Sequence, residues 1–404
     1  MQIIKHLTLI LCIVLTDIAV EINIDSYFPS VPHMAESFGV SIGAVQIGYA
    51  TFQIACALGV FIFGLLAIQV EKRRLTLVAL VILIVSLIGV SVINHIYLFY
   101  ILRFITGFAV GGIISVTSVI MTEVFSGKDI AKVGSILMMI LAVVPAAAPF
   151  LGGVIESATH IWQLNFIIPM MTCAFVFLLV CWKLSTYPPE NDVQTLKLML
   201  RDYIAPLSDR AIWFVICNIL GFGWILFYMT ISPELYQVHF GLSAYDYGNL
   251  SLGMIVVFFL APLLNILLLK FMSLRNIIFI GIFIMLICSA VGLYLHLKSL
   301  YMVYSILVIF LFGLSLVRSN LYAVSTEYYS RKENMASIYL LLVILISPIF
   351  SYYGAYYRIN EVVDIYQVAL YFTLALLMTF LLNLWWSNKK KDNCDSKQLD
   401  LATN

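Results

Sequence analysis

Three acids stand four residues apart in the first apolar stretch of the chain, Asp17, Glu21 and Asp25 in TDIAVEINID. Carboxylates at i, i+4 and i+8 advance by about 400° per step on a helix, so they form one slowly drifting stripe. A charge in hydrocarbon costs roughly 2.5–3.5 kcal/mol on insertion scales, and the residues that carry one face a cavity or a partner. The stripe therefore predicts a helix face that lines water or protein. If the span starts near residue 6 on the cytoplasmic side, Asp17 lies near mid-depth. Glu21 then lies about 6 Å further out and Asp25 about 12 Å further out, with Asn23 between them. Desolvation favours the neutral form of a carboxyl, so one at mid-depth without a counter-charge is suited to take up and release a proton. Asp17 fits that description best.

Two arginines sit inside apolar stretches. Arg103, in YILRFITGF, lies a few residues into the fourth stretch, at a depth near Glu21 or Asp25. It is the natural counter-charge for either, and such a pair serves equally to hold two helices together. Arg318, in SLVRSNLY, lies in the cytoplasmic half of the tenth stretch with no acid close in sequence. Helix breakers gather in AVVPAAAPFLGGV, where Pro145 and Pro149 favour kinks and Gly152 and Gly153 allow a close helix crossing. Asn218, Trp224 and Tyr228 in the seventh stretch are candidates to line a cavity, though packing in the core is the favoured reading for the two aromatics. No phosphate-binding GxxxxGK[ST], HExxH or GxSxG motif occurs, and no His/Cys group has metal-ligand spacing. No enzyme activity, cofactor or metal is expected, and the seven cysteines read as small packing residues.

The elements that must position these residues follow from composition. Of 404 residues, 63% are hydrophobic and 11% charged, with a mean hydropathy of +1.04. The apolar residues run in blocks of roughly 20, enough to cross a bilayer as helices. An all-α polytopic membrane protein is predicted, and short alternating strands of a barrel are absent. Twelve spans are expected, near 6–28, 43–68, 75–94, 97–124, 131–156, 163–184, 211–232, 246–270, 275–296, 299–326, 335–357 and 365–386. The first is read as a retained span, because no small-residue cleavage site follows it. Of the 22 Lys and Arg, 18 fall on one set of connections, Lys298 and Arg358 alone on the other, and two within spans. That asymmetry places both termini in the cytoplasm.

The longest internal polar connection, 185–210, divides the chain into six-helix bundles at 1–184 and 211–386, expected to surround a central cavity as in secondary transporters. Part of it, near DVQTLKLMLRDY, has the pattern of an amphipathic surface helix. Residues 387–404 are expected to be a disordered cytoplasmic tail. The expected partners are a small-molecule substrate, protons and the lipid bilayer, with no nucleic acid, and the chain is expected to be a monomer.

Several of these segments resemble the major facilitator superfamily, in particular its 12-spanning drug:proton antiporter group. ILRFITGFAVGG is similar to that group's fourth-span motif on Arg103 and Gly107. AVVPAAAPFLGGVI is similar to its fifth-span antiporter motif on Pro149, Gly152 and Gly153, with Pro145 and Ala148 near the positions of two replaced glycines. HIWQLNF and SPELYQVHFGLSAYDYGNL resemble the entry to span 6 and the connection from span 7 to span 8. Asp17, Asp25 and Pro29 match the acid spacing in span 1 of multidrug efflux members, so the resemblance implies proton and substrate binding there. The loop between spans 2 and 3 departs from the pattern. In GLLAIQVEKRR, Gly64, Lys72 and Arg73 match, but Ile68 replaces an acid of the family's cytoplasmic gate and Glu71 replaces a glycine. The resemblance implies the major facilitator fold in a bacterial inner membrane and proton-coupled export of cationic or neutral amphipathic compounds. A metabolite or siderophore exporter and a nutrient importer share the same residues. A non-transporting receptor would need no aligned charges in its spans.

Overall fold

In a computed structural model, residues 7–125, 127–183, 212–327 and 342–402 are described. The described residues are built of helices and contain no strand. Nine of its helices are long and apolar enough to cross a membrane, and Val143–Thr159 and Leu342–Tyr356 are shorter apolar helices among the described residues. With the first helix these match the twelve expected spans to within several residues. In hydrocarbon every backbone polar group must be satisfied within the segment, which leaves the helix as the form such apolar runs adopt.

The helices are α1 (Leu7–Asp25), α2 (Val31–Phe38), α3 (Ile42–Gln69), α4 (Lys72–Val92), α5 (Ile96–Val124), α6 (Gly127–Thr159) and α7 (Leu164–Lys183). They continue as α8 (Ile212–Pro233), α9 (Ala244–Leu268), α10 (Leu274–Tyr294), α11 (Leu300–Glu327), α12 (Pro348–Tyr356) and α13 (Val363–Ala402). The amphipathic segment expected within 185–210 lies outside the described residues. The tail differs from expectation: α13 runs without a break through the polar residues to Ala402 in place of disorder. Asn, Lys, Asp and Gln there supply no breaker, and helix propagation from an established span needs no new nucleus.

Two compact units are present, and they do not follow the order of the sequence. The first comprises Met1–Gln194, Ile225–Leu260 and Ile344–Asn360, and the second Thr195–Trp224, Ala261–Val343 and Glu361–Asn404. In the first unit α1 packs on α6 and α7, and α3 packs along α5. The glycine pair of α6 explains how later segments join this unit. A Cβ on Gly152 would collide with the Ser26 carbonyl at the end of α1, and one on Gly153 with the Ala244 carbonyl at the start of α9. Each glycine thus brings a different backbone into contact. Ser251 adds a hydrogen bond from α9 to the Ala146 carbonyl of α6 at 2.7 Å, and Thr230 of α8 meets Ser351 of α12 at 2.8 Å. In the second unit α10 packs on α11 and α13. Asn320 of α11 donates to Asn265 of α9 at 2.7 Å, both buried.

Candidate functional site

Within α1 the three acids differ in exposure. Asp17 and Glu21 are half-buried, whereas Asp25 is buried. Glu21 stands beside both other acids, and Thr117 of α5 stands beside Asp17. Asn23 faces the other way on the helix, fully buried, and neither atom of its amide is hydrogen-bonded among the described residues. The stripe is thus half-buried at Asp17 and Glu21 and sealed at its Asp25 end.

Arg103 of α5 lies at that sealed end, with no exposed surface. Its guanidinium carbon is 4.3 Å from the centre of the Phe52 ring, 4.9 Å from that of Tyr27 and 6.0 Å from that of Phe166. None of its three guanidinium nitrogens is hydrogen-bonded among the described residues. None of the ion pairs among the described residues joins Arg103 to Asp25. Aromatic faces attract a cation by roughly 0.5–2 kcal/mol each, so the rings offset part of the desolvation cost. The approach is possible because Gly107, one turn on, lets α5 lie against the Phe52 carbonyl of α3. The sequence singled out Arg103 and the acids; it gave no notice of the ring cage. Tyr27, two residues past Asp25, carried the one available signal.

A second polar group, beyond the Asp25 end of α1, was not legible in the sequence. The buried Glu156 of α6 accepts hydrogen bonds from Ser30 at 2.5 Å and from His33 Nδ1 at 2.7 Å. Asn165 of α7 donates to Ser30 at 2.7 Å, and Ser26 donates to the Asn165 carbonyl at 3.0 Å. The turn Phe28–Ser30, with Pro29 in it, places these hydroxyls after α1 ends, and Pro32 opens α2 behind them. Its one trace in the sequence is an acid one helical turn beyond Gly152. Pro145 and Pro149 both lie inside α6, which continues through them.

The loop between α3 and α4 is anchored inside the first unit. Lys72, the first residue of α4, is 1% exposed and pairs with Glu123 of α5 at 2.6 Å. Arg73 donates to the Cys181 carbonyl of α7 at 2.5 Å, and Glu71 pairs with the exposed Arg74 at 2.8 Å. A Cβ on Gly64 would stand 3.1 Å from the Ser115 hydroxyl. Glu123 is the acid that sequence reading did not connect with this loop.

The remaining candidates divide between the units. Trp224 is buried in the second, its ring 5.0 Å from Phe310 and 5.5 Å from Phe372. Tyr228 is buried in the first, its hydroxyl 3.0 Å from that of Tyr236. Asn218 accepts a hydrogen bond from Arg318 Nε at 3.1 Å in the second unit. No group of three or more His, Cys, Asp and Glu could hold a metal among the described residues.

Comparison with known proteins supplies the family. The family model described as Major Facilitator Superfamily matches residues 9–351. The chain is 27% identical over 229 residues to an uncharacterized MFS-type transporter, YdgK, of Bacillus subtilis, covering 55% of this chain and 56% of that one. It is 22% identical over 249 residues to a bicyclomycin resistance protein homolog of Haemophilus influenzae, covering 60% and 62%. To the multidrug resistance protein MdtL of Klebsiella pneumoniae it is 25% identical over 232 residues, covering 57% and 58%. The matches thus span little more than half the length of these curated relatives. Among solved structures, the nucleoside transporter NupG superposes with a TM-score of 0.71 at 14% identity, covering 94% of this chain and 98% of that one. A bacterial homolog of the human lysosomal transporter Spinster, inward-facing and occupied, does so with a TM-score of 0.72 at 15% identity, covering 93% and 96%. At such identities the likeness is one of fold.

Proposed function

The chain belongs to the Major Facilitator Superfamily, and we propose that it is a proton-coupled antiporter that exports small organic molecules across a bacterial inner membrane. Both termini lie in the cytoplasm in this reading, and the halves 1–184 and 211–386 are the two bundles whose alternation moves cargo. The observation that carries the reading is the acid stripe of α1, half-buried at Asp17 and Glu21 and sealed at Asp25 against the ring-caged Arg103. Asp17 is the proton carrier. Asp25 binds proton or cargo under the influence of Arg103, and Glu21, beside both, helps select the cargo. The resistance proteins among the relatives support export. Protons and cargo compete for the stripe, and each drives the cycle only through unequal affinity for the two exposed states.

The test uses purified protein in vesicles, with an imposed pH gradient and a panel of cationic dyes, drugs and metabolites. Wild-type protein should show gradient-driven flux of at least one compound. Asp17→Asn should abolish the driven flux while leaving expression and folding intact. Full coupling in that variant would reject Asp17 as the proton site, and no driven flux of any compound would sink the antiporter reading.

A further inference from the structure

The proposed transport role makes no use of the network around Glu156, yet that network holds the exit of α1. The two oxygens of the carboxylate reach different elements. Oε2 accepts from Ser30 in the turn Phe28–Ser30 at 2.5 Å, and Oε1 from His33 Nδ1 of α2 at 2.7 Å. The Ser30 hydroxyl also accepts from Asn165 of α7 at 2.7 Å. Pro169 has no N–H to offer the Asn165 carbonyl one turn earlier, and the Ser26 hydroxyl donates there instead at 3.0 Å. The segment from Ser26 to His33 is thus tied to α6 and α7 through three side chains, Ser26, Ser30 and His33. Asp25 lies directly before it, and Tyr27, 4.9 Å from the Arg103 guanidinium carbon, lies within it. Of the two titratable members, His33 is the one that water reaches: its side chain is 38% exposed, against 6% for Glu156. Other titratable groups on the elements around α2 are Asp25, Glu36, His95, Arg103 and His160, with Glu234 and His239 on the segment Glu234–His239. None of them shares a hydrogen bond or ion pair with His33 or Glu156 among the described residues.

We propose that Glu156 is a positioning residue for the Asp25 end of the acid stripe, and that His33 makes its hold depend on pH. A buried carboxylate keeps its donors, because an unpaired one carries the full cost of desolvation. A histidine changes charge between about pH 5 and pH 8. As an imidazolium, His33 gives Glu156 a charge-assisted hydrogen bond, about twice as strong as the bond from a neutral ring. Acid therefore tightens the clamp on the segment from Ser26 to His33, and a rise in pH loosens it. The direction in which this serves transport rests on the antiport reading. There the Asp25 end faces the outer compartment, whose acidity drives export, and the clamp steadies Asp25 and Tyr27 beside Arg103 as protons arrive.

The experiment follows amide hydrogen exchange by mass spectrometry in the full-length purified protein in detergent, at about pH 6 and about pH 8. Rates over residues 25–38 are divided by the intrinsic exchange rate at each pH. Wild-type protection of this stretch should be about fivefold greater at the lower pH, the ratio expected between a charge-assisted and a neutral hydrogen bond. His33→Gln still offers Glu156 a neutral donor, so its protection should be equal at both values and close to the wild-type level at the higher pH. Glu156→Gln should lower protection at both values and remove the difference. Equal protection at both values in the wild type, or a difference that persists in His33→Gln, would overturn the proposal. A pH response of the same size in every helix would be a change in global stability, and the proposal would fall with it. If Glu156→Gln does not fold, His33→Gln decides alone, since its site is half-exposed. Exchange is read without any transport, so a chain that moves no compound refutes the antiport reading and leaves the clamp standing.

Discussion

The pair between Lys72 and Glu123 gives the sharpest test of how this chain holds the loop between α3 and α4. Two unit charges 2.6 Å apart attract by about 6 kcal/mol at an effective dielectric of about 20. Desolvation of the two ions offsets most of that gain, so the pair itself contributes little net stability. Removing one partner is a different matter. Glu123→Gln removes the carboxylate that stands 2.6 Å from the Lys72 ammonium, 1% exposed, and breaking a buried pair in this way costs roughly 3–5 kcal/mol. The Glu123 side chain is 25% exposed, so water already screens part of the attraction and a loss of about 2–3 kcal/mol is expected. Replacing both residues, Lys72→Met with Glu123→Leu, removes both charges and should return stability to within about 1 kcal/mol of wild type. Urea unfolding in detergent, followed by tryptophan fluorescence, measures all three variants. A coupling near zero in the double-mutant cycle, or a loss below about 0.5 kcal/mol for Glu123→Gln, would refute the assignment of Glu123 as the anchor of this loop.

Other consequences are direct. Arg103→Lys keeps the charge but not the planar head that lies over Phe52 and Tyr27, so unfolding in detergent should show a loss of about 1–2 kcal/mol. Gly152→Ala places a methyl against the Ser26 carbonyl, a backbone contact that cannot yield without moving α1; a loss of about 1–3 kcal/mol should appear in the same assay, and a neutral result would show that the crossing is looser than the geometry implies. Outside the spans, the Lys298 ammonium beside Glu361 holds its carboxyl below the usual carboxylate range. A lowered acid favours the folded state above its ordinary range and loses that contribution as pH falls through the lowered value. Both side chains are exposed, so Glu361→Gln should leave the unfolding midpoint at neutral pH unchanged and only flatten its fall in acid.

The spans were legible because each apolar block is long, and because 18 of 22 basic residues fall on one set of connections. Length and charge asymmetry are local signals that need no knowledge of packing. The acid stripe was legible for a related reason: a spacing of four on a helix defines a face before anything is packed on it. What was not legible depended on which helices meet. The rings around Arg103 come from α1's exit, α3 and α7, and nothing in YILRFITGF marks them. Glu123 and Lys72 are 51 positions apart in the chain, and their pairing requires α4 and α5 to lie side by side. The compact units were beyond sequence reading for the same reason, since the contacts that draw α9 onto α6 are made by backbone at glycines.

The same contrast orders the charges by the work they can do. Arg103 is sealed, stacked on rings and held in place by neighbours of its own unit. A group so enclosed cannot meet cargo in this conformation, so in the antiport proposal Arg103 acts through its neighbours. Asp17 and Glu21 are half-buried and can exchange protons or meet a ligand directly. In the antiport proposal the stripe couples the half-buried pair of carboxyls to a fixed charge through the third acid, Asp25. Glu21 stands beside both other acids, so in that proposal its charge bears on both at once. Replacing Glu21 should then shift the pH dependence of flux without abolishing it, whereas replacing Asp17 should abolish the coupling. A variant series in which Glu21→Gln leaves the pH profile of flux unmoved would show that the acids act independently, and that their alignment on α1 serves structure rather than exchange.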